Sequence, residues 1–151
     1  MKKSSITRLK ELQPLSHDHH HGLSLCRKIR IGLNRSIEIE RIKRYSDWFY
    51  ENSLLPHFYT EERFIFPILG NQNEHVTRAL AEHRKLKHYF EDTFNLFRSL
   101  NKIEHHLENH IRFEERVLFN EVQAVANVIQ LQEIGILHTP IINQWNDHFW
   151  N

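Results

Sequence analysis

Four of the chain's 13 histidines interrupt apolar stripes, one in each of four long segments, and that placement limits what the chain can fold into. Apolar residues at three-to-four spacing mark the buried face of a helix. In one segment the stripe reads Leu12, Leu15, His19, Gly22, Cys26, Ile29, Leu33; in the next Leu54, His57, Glu61, Phe64 or Ile65, Ile68. The third reads Val76, Leu80, His83, Lys87, Phe90, Phe94, Phe97, and the fourth Ile103, Leu107, His110, Glu114, Val117. Each helix thus turns a histidine inward, and two of them add a glutamate one turn later.

The segments run over about 14–35, 36–69, 74–98 and 102–127. Ser36 is expected to cap the second helix. Gly70 to Asn73 break the pattern after it, and Ser99 with Asn101 makes the next break. Pro56 predicts a kink or break inside the second segment. Four amphipathic segments with short connections predict an all-α, up-down-up-down four-helix bundle over 14–127. Residues 1–13 read as a polar extension. Residues 128–151, with Pro140 and three late aromatics, read as a short helix and a tail packing on the bundle. One length check conflicts: His83 lies 16 residues before Ser99 but His110 only 11 after it. The difference is roughly 8 Å of helix, so either the third helix ends before Arg98 or the inward residues are staggered.

A glutamate inside a bundle is costly unless it is neutral, paired or bound to a cation. Residues i and i+4 share a helix face about 5–6 Å apart at Cβ, so His-x-x-x-Glu lets an imidazole and a carboxylate converge on one ion. The motif occurs twice in related surroundings: His57-Phe-Tyr-Thr-Glu61-Glu62-Arg63-Phe64-Ile65-Phe66 and His110-Ile-Arg-Phe-Glu114-Glu115-Arg116-Val117-Leu118-Phe119. Two such helices facing each other supply two carboxylates able to bridge a pair of metals, with histidines completing each shell. The predicted metal residues are His19, His57, Glu61, His83, His110 and Glu114. Nitrogen and carboxylate ligation without thiolates suits iron, with manganese or zinc as substitutes.

Composition removes other classes. Lys+Arg is 20 against 19 Asp+Glu, which leaves no electrostatic footprint for nucleic acid or an anionic membrane. The single cysteine, Cys26, excludes a disulfide framework and a multi-thiolate site. The longest apolar run, Phe64 to Leu69, falls far short of a membrane span, and the polar N-terminus lacks signal-peptide character, so a cytoplasmic location is expected.

These motifs resemble the hemerythrin-like, or HHE cation-binding, family. The similar parts are Ser16-His17-Asp18-His19-His20-His21, then His57-x-x-x-Glu61-Glu62 followed by Ile65-Phe66-Pro67, then Glu82-His83, then His110-x-x-x-Glu114-Glu115 followed by Leu118-Phe119, covering about residues 12 to 122. The resemblance implies a non-haem di-iron centre that reacts with or senses O₂, NO or peroxide, or reports and handles iron. The oxygen-carrying members have a second histidine one turn later on helix three, where this chain has Lys87. They also close the fourth-helix motif with an aspartate at longer spacing, where this chain has Glu114. Both departures point away from reversible O₂ carriage.

Three functional readings stand side by side: a binding or sensing di-iron protein, a di-iron enzyme reducing NO or peroxide or donating iron for cluster repair, and a structural zinc bundle. The last fits least, because structural zinc takes four closed ligands, often with cysteine. His17, His20 and His21 are alternatives to His19. His75, His88, His105, His106 and His148 read as solvated or outside the ligand set, and His138 as a residue that could fold back from the tail. Cys26 reads as core, and Glu62, Arg63, Glu115 and Arg116 as rim ion pairs.

Overall fold

A computed structural model describes residues 7–137 and 144–151. Among these residues there are five helices and no strand. Helix α1 is Gln13–Asn34, opened by Pro14 in its first turn, where the missing N–H costs nothing. Helix α2 covers residues 39–69 without a break. Within it, π turns at Tyr50–Leu54 and Glu61–Ile65 alternate with α turns. Helix α3 is Glu74–Glu91. Helix α4 covers residues 96–125 and carries a third π turn at Glu114–Leu118. Helix α5 is Val128–Leu137. Helix α1 packs on α4 and α2, and α3 on α4, which makes the expected all-α bundle. Among the described residues no helix is long and apolar enough to cross a membrane. His138 lies outside the described residues.

Three boundaries differ from the sequence expectation. Ser36 does not cap α2. It sits in the left-handed region (φ 55°) just after α1, with Ile37 N–H bonded to the Gly32 carbonyl at 2.9 Å and Ser36 N–H to Leu33 at 3.3 Å. That is a Schellman ending, with serine where glycine is usual. Pro56 breaks nothing: it falls in the first turn of the α segment Leu55–Thr60, directly after a π turn, and the helix continues through it. Helix α3 ends at Glu91 rather than near Arg98, because Asp92 accepts from the N–H groups of Phe94 and Asn95 and from Ser99 Oγ. Asn95 then caps α4 by accepting from Arg98 N–H at 3.1 Å. Local Asx bonding therefore overrides the apolar spacing of Phe94 and Phe97, and Phe94 ends 99% exposed. The early end also answers the length conflict: the connection at 92–95, extended at Asp92, climbs what the shorter α3 leaves uncovered.

Among the described residues the core has two apolar clusters. One gathers Leu25, Ile29, Ile42, Tyr45, Phe49, Phe90, Ile103 and Leu107. The other gathers Leu12, Leu15, Ile65, Phe66, Val76, Leu118, Phe119 and Val122. Each such side chain, fully buried, contributes roughly 1.5–3 kcal/mol. Between the clusters lies a polar slab, which contains all six predicted metal residues. Residues 144–151 lie across the first cluster: Asp147 takes two hydrogen bonds from Arg41 (2.7 and 3.0 Å), and Lys28 Nζ sits 4.1 Å from the Trp150 ring centre.

Candidate metal centre

The repeated His-x-x-x-Glu places His57 and Glu61 on α2 and His110 and Glu114 on α4, all buried. A π turn begins at each glutamate. Its extra residue shifts the helical phase, so the apolar stripe continues through the buried Ile65 and Leu118, while Phe64 and Val117 are only half-buried. Opposite these, α1 supplies His19 and α3 supplies His83, also buried. Gly22 keeps α1 close to α4 beside His19; a Cβ there would lie 2.6 Å from Ile111 Cδ1.

Six side chains form two overlapping pockets. His19, His57, Glu61 and Glu114 offer one group of donor atoms within 4.8 Å of one another, and Glu61, His83, His110 and Glu114 offer a second. Every histidine turns Nε2 inward. His57 Nε2 lies 3.3 Å from Glu61 Oε2, and His83 Nε2 lies 3.2 Å from Glu61 Oε1. His19 Nε2 and His110 Nε2 lie 3.0 and 3.3 Å from Glu114 Oε1. The two glutamates thus stand between the two histidine pairs.

The outward nitrogens are held by four further carboxylates, each from a neighbouring helix. His57 Nδ1 donates to Asp18 (2.9 Å), His83 Nδ1 to Glu62 (2.7 Å), His110 Nδ1 to Glu82 (2.7 Å) and His19 Nδ1 to Glu115 (2.6 Å). The pattern closes a ring: α1 holds a histidine of α2, α2 one of α3, α3 one of α4, and α4 one of α1. With the proton at Nδ1, each Nε2 presents a lone pair inward, which is how carboxylates orient metal-binding imidazoles.

The fit to cations follows from what the slab lacks. Both oxygens of Glu61, Oε2 of Glu114, and Nε2 of His83 and His110 are buried without a well-formed hydrogen bond. His19 Nε2 and His57 Nε2 lie only 3.2 Å apart. Two facing lone pairs at that distance need a positive charge between or beside them. Protons supply it in the metal-free chain. Burial opposes charge on His110, yet the Glu114 carboxylate 3.3 Å from its Nε2 and the hydrogen bond to Glu82 push its pKa up to about 10. His19 is raised despite its burial by hydrogen bonds to Glu114 and Glu115, and His57 is raised well above its ordinary value by Glu61 and Asp18. Burial alone would raise Glu114, but the His110 charge and the hydrogen bonds of His110 and His19 hold it well below the usual carboxylate range. A pair of divalent cations would replace these protons with better-matched charge.

Beside His19, His57, His110 and Glu114 lies a cavity of about 10 Å³, walled by Gly22, Phe49, Leu54, Phe58 and Ile111. It has about the room one water molecule needs.

Of the four helix-one candidates only His19 is inward; His17 and His20 are exposed and His21 is half-buried. His88, His105 and His148 are exposed and away from the slab, and half-buried His75 pairs with Glu121. His106 stacks on Tyr89. Lys87 does not interrupt the inward face. It is half-buried, with Nζ 3.8 Å from Glu62, and Leu86 takes the core position. Glu62 and Glu115 are not simple rim ion pairs, since both hold histidines of the slab. Their roles, with those of Asp18 and Glu82, were missed by stripe analysis. The available signal was adjacency, because each stands next to an inward residue in the sequence: Asp18 before His19, Glu82 before His83, Glu62 after Glu61, Glu115 after Glu114.

Compared with known families, residues 11–122 match the model of the hemerythrin HHE cation binding domain. No curated protein and no solved structure matches the chain.

Proposed function

The chain belongs to the hemerythrin HHE cation-binding family, and from that premise we propose that it carries a non-haem di-iron centre which reacts with or senses a small oxidant, O₂, NO or peroxide. The observation that carries the reading is the sharing of Glu61 and Glu114 between two buried pockets, each with its own pair of histidines. His19 and His57 would hold one ion and His83 and His110 the other, with Glu61 and Glu114 available to both, and a pair of ions would supply two-metal redox chemistry there. The all-nitrogen-and-oxygen donor set favours iron, with manganese or zinc as substitutes. Bound ferrous ions would supply the electrons for reduction of the small molecule.

The chain's own residues fix what can approach. The cavity beside His19, His57 and His110 has room for a molecule about the size of water, which favours a small ligand over an organic one. Its walls are mostly apolar, which favours O₂ or NO over bulk water. The carboxylate ring holds each imidazole at a set angle, so the pockets are formed before any ion arrives.

The test is anaerobic reconstitution with ferrous iron, metal analysis, and absorbance spectra before and after O₂ and NO. About two irons per chain and a spectral change with either gas are expected. Retention of a single ion, or two ions whose spectrum neither gas alters, overturns the reading.

A further inference from the structure

The link from Glu115 to His19 is fastened from a segment that precedes all four bundle helices. Arg8 lies ahead of α1 and outside the family-matched residues 11–122. Its guanidinium makes four hydrogen bonds, all to α4. Nη1 donates to Asn120 Oδ1 (3.2 Å) and Gln123 Oε1 (3.1 Å). Nη2 donates to the Glu115 carbonyl (2.8 Å) and to Glu115 Oε2 (3.1 Å). Gln123 also ties the flanking backbone, accepting from Leu9 N–H (2.8 Å) and donating to the Thr7 carbonyl (3.1 Å). The Arg8 side chain is only 13% exposed, so these charge-assisted bonds form largely out of water, where they are strongest.

The consequence reaches the slab along two paths. Glu115 Oε1 accepts from His19 Nδ1, and with Oε2 held by Arg8 the carboxylate cannot turn away. The same guanidinium lies 5.4 Å from the centre of the Phe119 ring, which stacks on His19 at 5.1 Å. Arg8 therefore fixes both groups that fix the His19 ring. The corresponding contact on Glu82 comes from Arg78 of the same helix, half-exposed to solvent, and that on Glu62 from Lys87 at 3.8 Å.

We infer that Arg8 is a positioning residue for the His19–His57 half of the centre, acting through Glu115 and Phe119 to retain one of the two ions. The inference rests on the di-iron reading above. Its test is release of ferrous iron from the fully loaded chain to an excess of chromogenic chelator, without oxygen. Arg8→Gln should release one ion roughly tenfold faster, the usual cost of losing a group behind a metal ligand, and the other at the wild-type rate. Arg8→Lys, able to keep a single bond to Glu115, should be intermediate. Arg30→Gln, which removes an exposed ion pair with Glu104, should change neither rate. Gln123→Ala frees the segment at Thr7 and Leu9 and removes one Arg8 bond while leaving those to Glu115, and should speed the same ion less than Arg8→Gln, so the test survives if Arg8→Gln does not fold. Wild-type release from Arg8→Gln and Gln123→Ala, equal acceleration of both ions, or the same effect from Arg30→Gln overturns the role of Arg8. A wild-type chain that never holds two irons overturns the di-iron reading, and this inference with it.

Discussion

Glu61 and Glu114 serve both pockets, whereas each histidine serves one. Replacement should therefore be unequal. Glu61→Gln is expected to lose nearly all bound metal, while His83→Ala should keep about one ion in the His19–His57 pocket. Metal content per chain after anaerobic reconstitution checks this, and a Glu61→Gln protein that holds a full pair would show that the glutamates do not bridge. Glu61→Gln also takes away the carboxylate that faces His57 and His83 in the metal-free chain, so its metal-free form should melt lower than wild type, and retention of the helical circular-dichroism signal separates lost ligation from lost folding. At this scale the inward residues were legible because helical spacing alone sorts inside from outside: His19, His57, Glu61, His83, His110 and Glu114 fell on stripes with leucines and isoleucines. The carboxylates behind them were not legible. Glu62 and Glu115 are half-exposed, and what they bind depends on which helix stands beside them. A single helix's periodicity holds no such information.

Helix ends obey local bonding, and two of them yield opposite expectations. Asn73 Oδ1 accepts from the N–H groups of His75 (2.8 Å) and Val76 (3.2 Å) at the start of α3. Asn73→Ala leaves these donors unsatisfied and should cost about 1 kcal/mol of stability. Ser36 carries a left-handed backbone at the end of α1. Ser36→Gly relieves that conformation at some cost in unfolded-chain freedom, for a net gain of about 0.5 kcal/mol. Chemical denaturation of both variants gives the signs directly; a stabilising Asn73→Ala or a destabilising Ser36→Gly contradicts the cap assignments. Breaks at Gly70–Asn73 were readable from the sequence because glycine and asparagine announce them. The end of α3 was not, since Phe94 and Phe97 extend the apolar spacing past Asp92, whose side chain turns the chain. The π turns at Glu61 and Glu114 also escaped, although the repeated Glu-Glu-Arg marks both sites, because one extra residue leaves the apolar pattern nearly intact.

Across the whole molecule, the slab is an array of charges between two apolar clusters, and its balance depends on what occupies the inward nitrogens. In the metal-free chain the neighbouring carboxylates favour protons on His19, His57 and His110. His110, with its pKa raised to about 10, adds stability that is fully present below its ordinary value of 6.5 and is lost as pH rises through about 10. His19 and His57 are shifted in the same direction. Glu115 has the opposite sign. Burial opposes its charge, but its bond from His19 outweighs that and holds it at about 2, so its contribution is present above its ordinary value and disappears as pH falls through about 2. Metal binding must expel the histidine protons, so protons and cations compete for the same lone pairs. Loading the chain should release protons near neutral pH, and the stabilisation by metal should grow as pH rises. At a free ion concentration a hundredfold above Kd that stabilisation is about 2.7 kcal/mol. The measurement is the melting temperature of metal-loaded and chelator-treated protein, compared between about pH 5.5 and 8.5, where histidine protons leave the unfolded chain. The gap between the two curves is expected to widen steadily with pH, because the metal-free form must hold on folding the histidine protons that its unfolded chain gives up, a growing cost that the loaded form does not bear. A gap that stays constant or narrows would mean that the inward histidines carry no protons for a metal to displace, and that the buried glutamates are balanced some other way.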